Sequence, residues 1–140
     1  MAELKHRVVT ANGIRSHLVE AGKGPIVLMV HVFPESWYSW HQLHALADAG
    51  YRAAAIDGRG YGRSSAPTAI DEYRMTKHVA DNLGVVEALG EKSAIIVGHD
   101  WGAPIAANSA LLRPDVFRAL ALLSVPYTSR GARRPSEAFA

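Results

Sequence analysis

Of the side chains in this 140-residue sequence, Asp100 is the one whose setting points most directly to chemistry. It lies in SAIIVGHDWGAPIAANSALL, residues 93–112. An apolar run with β-branched Ile95, Ile96 and Val97 precedes it, and an alanine-rich helical pattern follows until Pro114. The pattern reads as strand, sharp turn and helix, with an acid at the tip and Gly98 and Gly102 on either side. Glycine there lets strand and helix approach closely, and the helix N-terminus favours negative charge. A carboxylate at that tip suits attack on an alkyl carbon to give an ester, rather than acyl transfer. Taken alone, Asp100 is better explained as a helix N-cap, since Asp is favoured there.

The other candidates for chemistry are histidines and one further acid. Seven histidines occur, His6, His17, His31, His41, His44, His78 and His99, and none follows Asp100. His31 ends an apolar run, His99 adjoins Asp100, and Asp57 opens the glycine-dense stretch DGRGYGRS. Asp57 in that place is expected to fix its loop through backbone hydrogen bonds. The glycines do not keep the GxGxxG spacing of a dinucleotide site. With no cysteine in the sequence, disulfides, thiolate catalysis and cysteine-based zinc sites are excluded. No metal site and no cofactor are expected.

The elements that must position these residues can be read in order. Residues 5–21 suggest two strands joined at Asn12-Gly13, a strong hairpin signal. Residues 26–30 are continuously apolar, as expected of a strand buried on both faces. Ser36 is expected to cap a helix running to about Ala49, closed by Gly50. A strand over 51–56 follows, then the glycine-dense loop. A helix is expected over 76–89, with Val79, Leu83, Val86 and Leu89 on one apolar face. A last buried strand is expected over 119–125, with loop from Pro126 onward. Strands alternating with helices imply a mostly parallel sheet with helices on both faces, an α/β class with three layers. Trp37, Tyr38 and Trp40 are expected to pack.

Composition bounds the partners. The formal charge is +2 and 49% of residues are hydrophobic, which suits one ordinary globular unit. Basic residues are scattered, apart from Arg130, Arg133 and Arg134, so no nucleic-acid face is expected. No apolar stretch is long enough to span a bilayer. The charged start, MAELKHRVVTANG, has no signal core, and a cytoplasmic protein is expected.

Three motifs now stand in register: HVFPESWYSW after one strand, DGRGYGRSS after the next, and GHDWGA at the turn. Together with SVPY at residues 124–127, they resemble the N-terminal half of α/β-hydrolase-fold epoxide hydrolases. The resemblance implies a nucleophile elbow, with Asp100 attacking an epoxide carbon to form an alkyl-enzyme ester that water, activated by a histidine, then hydrolyses. It implies oxyanion donors in the backbone N–H groups of Phe33 and Trp101. It implies structural roles for His31, Pro34, Gly98, His99 and Gly102, and lid tyrosines that protonate the epoxide oxygen. The substrate would be a small apolar epoxide. Haloalkane and fluoroacetate dehalogenases share the aspartate nucleophile and are the nearest alternative; a non-catalytic binding protein on the same fold is another.

The sequence departs from that family in several places. The expected base, a histidine after Asp100, is missing, and Asp115 and Glu137 lie in no recognisable acid motif. Residues 1–140 are therefore expected to form the N-terminal part of one core domain, truncated, without lid or closing half, and unable to turn over alone. Val32 replaces the glycine of HGFP, which would strain the oxyanion loop if that position needs positive φ. The helix after Trp40 is one residue shorter than the family's form. Finally, the strand over 119–125, internal in the complete fold, is expected to leave an open edge prone to self-association.

Overall fold

The computed structural model describes residues 2–128. Asn12 and Gly13 take φ of 49° and 75°, the left-handed pair that matches hairpin twist. They join β1 (Lys5–Ala11) to β2 (Ile14–Ala21), antiparallel with Ala11 opposite Ile14. The buried runs of the sequence become β3 (Ile26–Val30), β4 (Arg52–Ile56) and β5 (Ala94–His99), and the last strand is β6 (Phe117–Leu123). The sheet order is β1-β2-β4-β3-β5-β6; β4, β3, β5 and β6 run parallel, and β2 is antiparallel to β4.

Alternation along the strands builds two cores. Leu28 and Val30 of β3 join Val85, Val86 and Ala106, which come from α2 (Met75–Ala88) and α3 (Gly102–Leu112) on one face. Val27 and Met29 turn the other way, toward Leu43 and the short α1 (His44–Asp48). Side chains such as Leu28 and Ile96, at 0% exposure, each contribute about 1.5–3 kcal/mol by leaving water. This is a three-layer α/β arrangement, with the N-terminal hairpin antiparallel and the rest of the sheet parallel.

Two elements differ from the sequence expectation. The single helix over residues 36–49 is instead a 3-10 turn, Trp37–Trp40, followed by a turn and α1. Ser36 does cap, accepting from the Tyr38 N–H at 3.3 Å. However, the Trp37 N–H donates to Asp57 Oδ1 at 2.8 Å, which ties the segment to the sheet, and Ser39 N–H bonds back three residues to Ser36. Aromatic and serine residues in WYSW resist this tight winding little because they are modest helix formers. The last strand is the second difference. It starts two residues before 119, because an irregularity between Ala94 and Ile95 lets Phe117 pair with Ala94. Ser124, at φ 70°, turns the chain before Val125. Only Phe117 of β6 is buried, while Leu120 and Leu123 are 40% and 42% exposed. An apolar run announces burial, but among the described residues no strand pairs with the outer edge of β6, and only Phe117 and Leu122 of the strand reach the core.

Candidate active site

Asp100 sits between β5 and α3 with φ 53°, a left-handed backbone that non-glycine residues rarely adopt. Such strain is characteristic of sites where the surroundings over-determine one conformation. The surroundings here are specific. The Asp100 N–H donates to the Leu123 carbonyl at 3.2 Å, and its own carbonyl accepts from Ala103 at 3.0 Å. A Cβ on Gly98 would stand 2.2 Å from the Gly102 carbonyl oxygen, and one on Gly102 would stand 2.2 Å from that of Val30. Only glycine permits strand and helix to meet this closely. The N-cap alternative fails, since no side chain caps α3 and Trp101 occupies the cap position. The half-buried Asp100 carboxylate therefore points its lone pairs at no donor among the described residues, beside a helix N-terminus that favours its charge.

The loop after β3 lies alongside. Neither the Phe33 nor the Trp101 backbone N–H donates to an acceptor among the described residues. His31 bridges two loops: its Nδ1 lies 2.8 Å from the Val32 carbonyl, and its Nε2 accepts from the Gly58 N–H at 3.0 Å. That pattern makes it a neutral imidazole with the proton on Nδ1, committed to the backbone. The Phe33–Pro34 peptide is cis. Val32 has no positive φ, so the strain expected of a β-branched residue there does not arise. His99 lies beside the elbow with Nε2 2.9 Å from Ser124 Oγ, and its ring meets Trp40 edge-on.

Asp57 is buried and organises the loops from below. It accepts from the N–H groups of Trp37 and Arg63, and from His17 Nδ1 at 2.7 Å. His17 in turn pairs with His6 at 3.0 Å. Trp37 and Trp40 pack against the sheet, whereas Tyr38 is 62% exposed, contrary to expectation. Tyr38 stacks on His41 at the surface instead.

Sequence reasoning missed the polar wall beside the elbow. Arg59, with no exposed side-chain surface, donates to both Asp81 oxygens at 2.6 and 2.7 Å and to the Glu72 carboxylate at 2.9 Å. Asp81 beside it holds the guanidinium above its ordinary pKa, against the opposing effect of burial. The available signal was Asp81 and Asn82 on the buried stripe of α2, where only apolar residues are expected. Next to this wall is a cavity of about 390 Å3, whose lining includes Val30, Ile56, Val85 and Ile105 together with Phe33, Tyr61 and Trp101. Asp100 is not among its lining residues, although its neighbour Trp101 is. His78 also lines it; burial lowers the pKa of its imidazole, with Asp81 opposing that shift and Arg59 and His31 adding to it. Among the described residues there is no cluster of His, Asp or Glu suited to a metal ion, and no helix is long and apolar enough to cross a membrane.

Residues 25–137 match the model of the alpha/beta hydrolase fold family. Epoxide hydrolase B of Mycobacterium tuberculosis is 46% identical over 147 aligned residues, covering 94% of this chain and 41% of the relative. The epoxide hydrolase of Caballeronia sordidicola is 50% identical, covering 91% of this chain and 39% of that protein. Among solved structures, an epoxide hydrolase from an endophytic Streptomyces is 69% identical with a TM-score of 0.91, over 97% of this chain and 41% of that one. Epoxide hydrolase A from Mycobacterium thermoresistibile is 50% identical with a TM-score of 0.92, over 98% and 44%. The chain thus spans about two-fifths of the length of these relatives.

Proposed function

This chain belongs to the alpha/beta hydrolase fold family and matches the N-terminal part of its epoxide hydrolases, and we propose that it carries the nucleophilic half of epoxide hydrolysis. Asp100 Oδ attacks a ring carbon of a small apolar epoxide, the bond from that carbon to the ring oxygen breaks, and the oxygen, still bonded to the neighbouring carbon, becomes an alkoxide that takes a proton from water. The product is an ester on Asp100. The observation that carries this reading is the Asp100 carboxylate at φ 53°, without a hydrogen-bond donor among the described residues, near two backbone N–H groups, Phe33 and Trp101, that have no acceptor among those residues. Those N–H groups are suited to the oxyanion that forms when water attacks the ester carbonyl. His31, His99, Gly98, Gly102 and Pro34 hold the two loops in place.

The hydrolytic half needs a base, and no histidine follows Asp100 in these 140 residues. His31 is committed to the backbone on both ring nitrogens. The 140-residue polypeptide is therefore expected to be alkylated once and not to turn over. Intact-mass spectrometry after incubation with styrene oxide tests this. The expected result is a single adduct of the epoxide's mass that is absent in Asp100→Ala. Steady diol formation would overturn the single-turnover reading, and an adduct that survives Asp100→Ala would remove Asp100 as nucleophile. Halide release from a haloalkane, with no epoxide adduct, would transfer the reading to a dehalogenase.

A further inference from the structure

With Gly13, Asn12 forms the left-handed pair at the tip of the β1–β2 hairpin, and its side chain reaches α2. Its Nδ2 donates to Asp81 Oδ1 at 2.8 Å and, at a longer 3.4 Å, to the Lys77 carbonyl. A carboxylate and a carbonyl are acceptors only, so the amide must present its nitrogen to them. Asp81 Oδ1 also receives Arg59 Nη2, so one carboxylate ties both the hairpin and the glycine-dense loop to the same helix. Packing alongside is tight, since a Cβ on Gly84 of α2 would stand 2.7 Å from the Ala11 Cβ. Asn12 is nevertheless exposed, and so is Gly13, whose N–H has no acceptor among the described residues. A Cβ on Gly13 would meet nothing within 4 Å, so no neighbouring group shields that position.

We propose that Asn12 is a modification site, at which spontaneous deamidation releases the hairpin from α2. The Gly13 nitrogen attacks Asn12 Cγ, the Cγ–Nδ2 bond breaks, and ammonia leaves carrying the Gly13 amide proton. The cyclic imide that remains adds water, which opens it at one carbonyl or the other to aspartate or isoaspartate. In sum, asparagine and water give a carboxylic acid and ammonia. The surroundings concentrate this reaction at Asn12. Glycine follows it with no side chain to hinder the approach, both residues face solvent, and neither belongs to a core cluster. The other asparagines, Asn82 and Asn108, lie inside α2 and α3 ahead of Leu83 and Ser109, where the helical ladder fixes the following N–H. The bond to Asp81 opposes the reaction, because the amide must leave Asp81 before it can bend back onto the Gly13 nitrogen. Deamidation therefore runs through local opening of the hairpin tip, and its product cannot close again as before. Aspartate has no N–H to offer Asp81 or the Lys77 carbonyl, and Arg59 and Lys77 are already paired with Asp81 and Glu72. Isoaspartate adds a backbone carbon to a two-residue turn that sets Ala11 opposite Ile14. None of these steps involves Asp100, so the chemistry proposed there stands or falls separately.

Incubation of the folded chain at mildly alkaline pH, with peptide mapping by mass spectrometry at intervals, tests the site. The mass gain of an amide-to-acid change should accumulate at Asn12 and not at Asn82 or Asn108. The rate at Asn12 should rise when urea unfolds the chain, because no bond to Asp81 then restrains the amide. Absence of conversion at Asn12 in the folded chain, or equal conversion at all the asparagines, overturns the site; a rate unchanged by urea overturns the restraint by Asp81. The structural consequence is read on Asn12→Asp and Asn12→Gly, both of which suit the left-handed turn. Asn12→Asp should melt about 5 °C or more below the parent chain, the scale of one lost hydrogen bond to a charged group in a chain of this size. It should also melt below Asn12→Gly, which loses the same bonds without adding a charge. The deamidated fraction, separated by its added negative charge on ion exchange, should melt below the parent as well. If Asn12→Asp melts with the parent, or at or above Asn12→Gly, release of the hairpin from α2 is overturned.

Discussion

Arg59 brings a permanent charge to a place that solvent does not reach, and the loop carrying it is held by that charge. Its two hydrogen bonds to Asp81 anchor the glycine-dense loop to α2, and the same loop supplies Gly58 to His31 and Tyr61 to the cavity. Removing Asp81 leaves the buried guanidinium with only Glu72, whose carboxylate is half exposed, and breaking a buried pair on one side costs more than the pair contributes when intact. Asp81→Leu is therefore expected to destabilise the chain by about 3 kcal/mol. The double variant Arg59→Met, Asp81→Leu should recover most of that loss, and urea denaturation of the three proteins reads both effects. A double variant as unstable as the single one would contradict the account. At this scale Asp100, His31, Phe33 and Trp101 were legible because motif and spacing mark them. Arg59, Asp81, His78 and Tyr61 were not, because their meaning depends on which loop faces which helix, and no spacing along the chain encodes that.

The elbow is a property of two elements rather than of one residue. β5 and α3 approach β3 so closely that a Cβ at Gly102 would stand 2.2 Å from the Val30 carbonyl oxygen and 2.8 Å from that of His31. Gly90, just after α2, provides a contrast. It has φ 79°, but a Cβ there would meet nothing within 4 Å. Gly90→Ala should thus cost only backbone strain, about 1–2 kcal/mol. Gly102→Ala must push α3 away from β3 and is expected to cost about 3 kcal/mol or more. It should also abolish the Asp100 adduct in whatever fraction remains folded, since the Trp101 N–H moves with the helix. Thermal melts together with adduct rates distinguish the two variants; equal losses of stability would sink the distinction. Most elements were legible for the same local reasons: Asn12-Gly13 fixes the hairpin, and the apolar runs fix β3, β4 and β5. The 3-10 turn at Trp37–Trp40 and the irregularity at Ala94 were not legible. Each is settled by a partner distant in sequence, Asp57 in one case and the pairing of Phe117 in the other.

For the molecule as a whole, the decisive feature is the outer edge of β6. Among the described residues no strand pairs with it, and Leu120 and Leu123 are exposed on a strand that carries one charge, Arg118. An open, apolar edge offers unpaired backbone groups together with side chains that gain from leaving water, and native sheets normally blunt such edges with charge or cover. The relatives are more than twice as long as the matched stretch, so in a longer protein this edge has further chain available to cover it. In a polypeptide of these 140 residues, we expect association through β6. Sedimentation velocity over a range of protein concentrations should show the mean mass rising above one chain. Leu120→Lys should return it toward the monomer by placing a charge where a second copy would pack. The fold on the buried side should remain intact in that variant, because Leu120 belongs to neither core cluster. A single-chain mass at every concentration, with a sharp cooperative melt, would mean that the sheet tolerates this edge as it stands, and the association reading would be abandoned.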